Sequence, residues 1–366
     1  MKIRLYPHDE VEFVNNGIGT LSDATDCTVR EVLKGIYETE LKYPVNGVHY
    51  ESIQHRSIIW TKPNPVSPPQ PFHVYRRTKA VNREVTFYAR HKAYDLDGII
   101  ASPFSASGAD ATLQAMKANS MPGCPFTFWT DLEGTDLFKL STPMSIWNLL
   151  GKNKGSFVSV FGGEPEFDGS NVKVWKRRGE NRSTMIKFRL NLIDATEDRN
   201  WGDCYTGIYP YWKNSSGEYM ELPEKVYNAI GNFNYSRIKP LDLSSEWSVK
   251  PTEAQMSMYA LKYVTDMSIV LPVDSIKVKY VDLGKTVEYM GNVPEQPVLL
   301  GDRVSVVMDD KGTTSTARVT ETRYKPLLDR YESITLGKVN SVSDILANVM
   351  GKVTDNLVTP NLPWWR

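Results

Sequence analysis

Short runs that alternate between apolar and polar residues, separated by strong turn signals, constrain the first hundred residues more than any other feature. Such runs occupy residues 2–6, 32–45, 57–61, 72–78 and 84–94. Asn46-Gly47 marks a tight turn, because both residues tolerate positive φ. Five prolines between residues 63 and 71 exclude a central strand there, since proline cannot donate a backbone hydrogen bond. The pattern predicts a β-sandwich or a small β-barrel.

Helical and extended segments are mixed after residue 100. Residues 107–119 are predicted to form a helix with Leu113 and Met116 facing inward. Residues 142–151 are predicted to form a second helix, with Thr142 as its N-cap and Gly151 at its exit. Extended structure is predicted at 157–161, at 171–175 and again in the last hundred residues. The longest helix is predicted within 248–267, where Thr252 supplies the cap. The sequence therefore predicts a β-rich α+β protein.

The charges of the chain balance. Lys and Arg total 43, Asp and Glu also total 43, and the net charge is zero. A coat for nucleic acid or a polybasic membrane binder needs a surface of one sign, so the balance argues against both. At about 100–200 residues per domain, the 366 residues predict two or more domains.

The sequence contains no motif for zinc binding or redox chemistry, no signal peptide and no membrane helix. Cys27, Cys124 and Cys204 are far apart and form no C-x-x-C motif, which argues against a zinc knuckle or a redox site. Residues 1–7 are not followed by the apolar run of a signal peptide, and no apolar stretch approaches the ~20 residues of a membrane helix. We expect a chain that is made in a reducing cytoplasm and has no membrane anchor.

We find no complete catalytic motif in the sequence. Gly284-Lys285-Thr286 lacks the earlier glycine of a phosphate loop, and the five histidines form no H-E-x-x-H pair. Glu164 and Glu166 in FGGEPEFD are a pair of acids of the kind that sugar-bond hydrolysis needs. Glycine and proline around them favour a hairpin connection instead. We therefore predict no catalytic, cofactor-binding or metal-binding residue, and a cell-wall hydrolase stays an alternative.

An aromatic patch lies near the middle of the chain. Its members are Trp201, Tyr205, Tyr209, Tyr211 and Trp212. Aromatic rings stack on sugars, but they also fill cores and oligomer interfaces. The alternation at Tyr209 and Tyr211 favours a strand in a core or an interface. A carbohydrate-binding adhesin is the third functional alternative.

The order of several short stretches along the chain resembles the N-terminal hub region of a phage tail-tip family. This family is known as the tail-associated lysin or prophage endopeptidase tail protein. The stretches include SIWNLLG at 145–151 and FGGEPEFD at 161–168. The others are 32–44, 72–76, 85–96, 278–283, 300–304, 317–319 and 333–337. Each stretch by itself is a weak match to the family, so the resemblance depends on the order in which the stretches follow one another over residues 1 to 340.

The resemblance implies a structural protein of the phage tail tip, similar to the baseplate hubs of contractile-tailed phages. Such a protein forms a homotrimer that docks on the distal tail protein, meets the tape measure protein and closes the tail channel until DNA passes. Receptor-binding proteins are further expected partners. The expected location is the virion of a long-tailed, non-contractile (Siphoviridae-like) phage. The sequence ends at Arg366 without a C-terminal hydrolase domain, so we expect no enzyme activity.

The resemblance also implies two tube-like β-barrel domains. The first is expected at residues 1–97, followed by an α+β domain at 98–183. The second is expected at 184–240 and 270–340, interrupted by a helical insertion at 241–269. Residues 341–366 remain as a C-terminal helix and tail.

One oligomer interface is predicted in that C-terminal helix. Val342, Leu346, Val349 and Val353 step four, three and four residues apart, as the seam of a coiled coil does. We expect them to form a threefold helical plug below the barrels. A helix that packs on its own barrel is the other interpretation.

Overall fold

The computed structural model describes residues 2–78, 83–151, 155–187, 190–202, 204–214, 216–229, 234–244, 246–247, 249–266, 269, 273–281, 297–307 and 314–338. The chain divides into two compact units. The first comprises Met1–Thr196 with Ile276–Gly337, and the second comprises Glu197–Ser275 with Lys338–Arg366.

The first hundred residues form a run of antiparallel strands. They are β1 (Arg4–Tyr6), β2 (Gly19–Thr20), β3 (Asp26–Val32), β4 (Tyr37–Pro44), β5 (Ile58–Thr61), β6 (Gln70–Arg77) and β7 (Glu84–His91). Their order in the sheet is β3-β4-β7-β6-β5-β1-β2. Alternate residues, such as Val29, Leu41 and Phe87, are buried in one core. Two 3₁₀ helices, Tyr50–Ser52 and Lys92–Gly98, complete this region.

A smaller α+β region follows, with its own core. Its elements are β8 (Ile100–Ala101), β9 (Phe104–Ser107), α1 (Ala109–Ala118), β10 (Ser120–Met121), β11 (Thr127–Thr130), β12 (Leu137–Leu140), β13 (Met144–Ser145), α2 (Ile146–Leu150), α3 (Phe157–Phe161), β14 (Glu164–Asp168) and β15 (Asn171–Trp175). Leu113 and Met116 of α1 are fully buried, which confirms that predicted helix and its inward face.

Two predicted elements of this region differ from the structure. The second helix starts at Ile146, because Met144 and Ser145 pair with β8 and the Ser145 hydroxyl accepts the Asn148 N–H at 3.4 Å. Residues 157–161 are a helix, although their β-branched and aromatic side chains predicted a strand. Ser156 caps this helix and Gly162 ends it at φ +75°, while Phe157 is fully buried.

The remaining elements extend the large sheet and form the second unit. They are β16 (Asn181–Lys187), β17 (Leu192–Asn200), β18 (Gly207–Lys213), β19 (Tyr219–Glu221), β20 (Tyr227–Asn228), β21 (Ile238–Asp242), α4 (Glu253–Asp266), β22 (Val273–Tyr280), β23 (Arg303–Val307), β24 (Thr314–Lys325) and β25 (Arg330–Lys338).

The twelve-residue strand β24 joins two parts of the large sheet. Residues 314–318 pair with β23, and residues 321–324 pair with β3. A separate core lies on the β23 side and includes Val278, Val304, Val319 and Leu336. One strand therefore contributes to both sheet regions.

The β-rich α+β class is confirmed, because strands predominate and several sheets are present. Among the described strands, β16 pairs with β23 alone and β17 with β22 alone. The sheet around β24 is therefore open in the described part of the chain, and the two tube-like barrels stay a prediction. The predicted domain bounds also stay a prediction.

The second unit packs one helix against a four-stranded sheet. Strand β18 pairs with β19 and β20 on one edge and runs parallel to β21 on the other. Helix α4 buries Met256, Ala260 and Val264 against this sheet. Its start is a capping box: the Thr252 hydroxyl accepts the Gln255 N–H at 3.3 Å, and the Gln255 side chain accepts the Thr252 N–H at 2.9 Å. The predicted helix and its cap are confirmed. No helix among the described residues is long and apolar enough to cross a membrane.

Candidate functional site

The two acidic residues that the sequence singled out lie on β14. Residues 164–168 form the first strand of a hairpin with β15, rather than the connection that glycine and proline predicted. Glu164 and Glu166 are two positions apart, so their side chains leave the strand on the same face. Glu164 is buried, and Glu166 is partly exposed.

Glu164 is held by two arginines, Arg178 just after the neighbouring strand β15 and Arg318 on the distant strand β24. Its Oε1 accepts a hydrogen bond from Arg318 Nη1 at 2.8 Å, and its Oε2 accepts one from Arg318 Nη2. The backbone N–H of Arg178 donates to Oε2 at 2.8 Å. Burial by itself would raise the pKa of Glu164, but the hydrogen bonds from Arg318 and Arg178 outweigh it and hold the pKa below its usual value.

The side chain of Arg178 extends the network to two further acids. Its Nη2 lies 2.8 Å from Glu31 Oε1 and 3.7 Å from Glu166 Oε1. Glu166 also accepts a hydrogen bond from Trp175 Nε1 at 2.7 Å. The strands β3, β14 and β24 and the turn after β15 thus meet through charged side chains rather than through apolar contacts alone.

This geometry does not favour a pair of hydrolytic acids. The general acid of a glycosidase needs a raised pKa, so that it carries a proton near neutral pH. Glu164 is shifted in the opposite direction, and its two oxygens already accept hydrogen bonds from arginine. The two glutamates are therefore better explained as parts of a structural ion-pair network.

A second buried acid, Asp302, fixes the turn that follows β15. Its carboxylate accepts hydrogen bonds from the backbone N–H of Glu180 at 2.7 Å, from Leu299 N–H at 2.8 Å and from Arg182 Nε at 2.7 Å. The backbone of Gly179 contacts that of Gly301 so closely that a Cβ on Gly179 would lie 2.1 Å from the Gly301 carbonyl carbon. The turn at 176–181 is thereby locked against the turn before β23.

The sequence alone missed the partners in this network. No local motif links Arg178, Arg318 or Asp302 to Glu164: Arg318 is 154 positions away, and Arg178, 14 positions away, lies beyond the hairpin of β14 and β15. For Asp302 and Arg318 the sequence signal was their position in the stretches at 300–304 and 317–319 that carry the family resemblance.

A cavity of about 420 Å³ lies beside this network. Trp147 stacks between Tyr94 and Phe167, with ring centroids 4.4 Å and 5.6 Å away, and these rings form part of its wall. The other lining residues are Glu31, Val32, Lys34, Gly35, Ile36, Tyr37, Asn148, Leu150, Gly151, Val158, Pro165 and Arg178. Its volume and its mostly apolar wall are typical of sites that receive a ligand or a partner side chain.

The members of the aromatic patch do not share one surface. Trp201 and Tyr205 precede β18, and the other three lie on its two faces. Trp212 is 1% exposed, packs in the core of the second unit and donates from Nε1 to the Trp247 carbonyl at 2.9 Å. Trp201 is 61% exposed. Tyr209 and Tyr211 are partly exposed on the other face, where Tyr211 stacks on Tyr219 at 6.1 Å. Tyr205 is partly buried and packs against the same core. The core interpretation therefore holds for Trp212 and in part for Tyr205, but not for the exposed Trp201.

Val342, Leu346, Val349 and Val353 lie outside the described residues, so the helical plug stays a prediction. Within the described ranges, no group of three or more His, Cys, Asp or Glu side chains is arranged to hold a metal ion.

The comparisons with known proteins concern the fold. No protein-family model matches the chain, and no curated protein matches its sequence. Prophage tail protein gp18 from Listeria monocytogenes aligns over 98% of this chain and all of its own, with 14% identity and a TM-score of 0.53. A tail protein from Neisseria meningitidis aligns over 94% of this chain and 98% of its own, with 12% identity and a TM-score of 0.61.

A third similar structure is the 43 kDa tail protein of prophage MuSo2 from Shewanella oneidensis. It aligns over 92% of this chain and 98% of its own, with 11% identity and a TM-score of 0.61. At these identities the alignments establish shared fold rather than shared partners. The chain has the fold of solved phage tail proteins, and the resemblance that the sequence suggested is confirmed at that level.

Proposed function

We propose that this chain is a structural component of a phage tail tip and acts there as the trimeric hub. The observation that carries the proposal is the fold: three tail proteins align with more than nine-tenths of the chain and with nearly all of their own length. The proposed place is the virion. The function is assembly, without catalytic turnover.

The described contacts support a rigid building block. The ion pairs of Glu164, Arg178 and Asp302 join the α+β region to both parts of the large sheet. A hub that transmits load through a tail needs its regions to move together, and buried ion pairs fix one arrangement because any other leaves charges uncompensated.

The proposed partners are two further copies of the chain, the distal tail protein and the tape measure protein, with receptor-binding proteins at the periphery. The trimer would close the channel before host contact and open for DNA. A net charge of zero suits that passage, since a basic lumen would retain phosphates. Val349→Asp in the proposed plug should weaken the trimer, and an unchanged mass by light scattering would count against the plug.

Virion composition and particle shape test the main proposal. Mass spectrometry of purified virions should find this chain at about three copies per tail, and electron microscopy of the purified chain should reveal a three-lobed ring with a central opening. A chain that is absent from intact tails would contradict a structural role in the virion. A particle with another symmetry would contradict the trimeric hub alone.

The hydrolase alternative is tested by a zymogram on Gram-positive cell walls. We expect no cleared band, because the Glu164 carboxylate is ionised and paired with Arg318. A band that disappears in Glu166→Gln would replace the structural proposal with an enzymatic one.

The adhesin alternative depends on exposed aromatic rings. Tyr209, Tyr211 and Tyr219 share the open face of the sheet in the second unit. A glycan array is the direct test. We expect no bound glycan, and binding that is lost in Tyr211→Ala would support the adhesin.

A further inference from the structure

A preformed loop with exposed apolar side chains projects between β1 and β2. Val11 is 68% exposed and Val14 is 82% exposed, and Asp9 and Glu12 beside them are also exposed. We refer to residues 9–14 as the acidic knob. Exposed valines of this kind, in a rim of charge, are typical of a surface that another protein covers.

The acidic knob is held in one conformation by its own side chains. Glu10 Oε1 accepts the backbone N–H groups of Val11, Glu12 and Phe13 at 3.1, 2.9 and 3.1 Å. Phe13 stacks on Trp60 of β5, with 4.1 Å between ring centroids and 11° between planes. An ordered loop loses little conformational entropy on binding, so its exposed valines are pre-organised for a partner.

The cavity beside Trp147 has the complementary character. Its wall is largely apolar, its volume of about 420 Å³ admits two isopropyl groups, and the exposed Ile36 is one of its lining residues. Lys34 is also part of its lining, and the nearest carboxylate oxygen, on Glu164, is 3.8 Å from its Nζ. Glu164 already accepts two hydrogen bonds from Arg318, so Lys34 retains most of its capacity to bind a further acid.

We infer that the acidic knob of one copy docks into the cavity of a second copy, with Val11 and Val14 inside and Glu12 facing Lys34. The inference rests on the proposed function, because it names a contact within the proposed oligomer. The knob adjoins the β1–β2 end of the large sheet, whereas the cavity is lined by residues of β3, β4 and the turn between them, in the interior of the strand order. Two different surfaces of each chain therefore meet, and such heterologous contacts close into a ring when the rotation between copies allows it.

Charge reversal in the full-length chain tests this contact. Glu12→Lys and Lys34→Glu should each weaken self-association roughly tenfold by sedimentation, because like charges then face each other. The double variant should recover the affinity of the original chain to within about threefold. A local disturbance caused by Lys34→Glu would not be repaired by a change in a distant loop, so the rescue separates a contact from a folding defect.

An apolar substitution gives a second, independent measurement. Val14→Asp should weaken self-association, whereas Val249→Asp, at a residue that is 76% exposed, should not. Thermal melting of each variant reports whether it folds.

The outcomes separate this inference from the proposed function. A chain that stays monomeric at high concentration, an oligomer that Val14→Asp leaves intact, or a double variant without rescue each overturns the knob contact. Whether the chain is part of the virion is decided separately by tail composition. If the double variant recovers self-association but the chain is absent from purified tails, the knob contact is supported and the tail role is refuted.

Discussion

Arg318 on β24 and Glu164 at the start of β14 lie 154 positions apart in the chain and form a bidentate ion pair. Arg318 Nε also donates to the Gly301 carbonyl at 3.0 Å, and its Nη2 donates to the Arg178 carbonyl at 2.7 Å. One guanidinium group therefore connects the hairpin of the α+β region to the strand that serves both parts of the large sheet.

We predict that Glu164→Gln destabilises the fold by about 3 kcal/mol, because it leaves the Arg318 guanidinium without its counter-charge in a largely buried site. Glu218→Gln is the matched control. Glu218 pairs with Lys250 at 3.0 Å on the surface, where such pairs contribute less than about 1 kcal/mol. Urea unfolding measures both. Equal losses in the two variants would refute a special role for the buried pair.

Acid sensitivity should follow from His91. Ala93 N–H donates to His91 Nδ1 at 3.2 Å, so Nε2 carries the hydrogen and donates to Gln70 Oε1 at 3.1 Å. Burial, together with the charges of His73 and Lys92, lowers the pKa of His91 to about 3. Below its ordinary pKa of 6.5, the unfolded chain gains a proton that the folded chain does not.

Stability should therefore fall as the pH drops from 6.5 towards 3, with a loss of about 2 kcal/mol at pH 5 from this residue. Above pH 7 His91 is neutral in both the folded and the unfolded chain, so it does not change the stability with pH. Chemical unfolding at pH 7 and pH 5 measures the slope, which His91→Gln should reduce and His8→Gln, at an exposed position, should leave unchanged. An identical slope in His91→Gln would exclude His91 as its source.

The contact between Gly179 and Gly301 predicts a steric effect. Gly179 has φ +86° and Gly217 has φ +85°, so alanine at either position carries the same backbone strain of about 1–2 kcal/mol. A Cβ on Gly179 would also overlap the Gly301 backbone, whereas a Cβ on Gly217 meets no atom within 4 Å. Gly179→Ala should cost at least about 4 kcal/mol in unfolding free energy. Similar melting curves for the two variants would contradict the close approach.

The aromatic patch provides a fourth prediction, for the second unit. Trp212→Ala should destabilise by about 3–5 kcal/mol, because it empties a buried site against α4. Trp201→Ala should change stability by less than about 0.5 kcal/mol, because the ring is mostly in solvent. Thermal unfolding followed by near-ultraviolet circular dichroism compares them. A large effect of Trp201→Ala would mean that this ring has a role in folding.

Local patterns predicted the elements whose causes are local. Helix α4 and its Thr252 cap could be read from spacing, since both depend on residues within one or two turns. Helix α3 could not. The FVSVF run has strand propensity, but Phe157 is buried in the core of the α+β region and Ser156 and Gly162 bound a single turn. Packing overrode propensity there.

By itself the sequence determined the β-rich class and the longest helix, because periodicity and caps are properties of neighbouring residues. It also determined the resemblance to a tail hub, because the order of stretches along the chain is independent of folding. Only the tertiary structure decided that Glu164 is a structural anion rather than a catalytic acid. Its pKa is lowered chiefly by Arg318, which is 154 positions away in the chain but within hydrogen-bond distance in space. The same holds for the cavity beside Trp147, whose wall comes from six separate parts of the chain, between residues 31 and 178, that folding alone brings together.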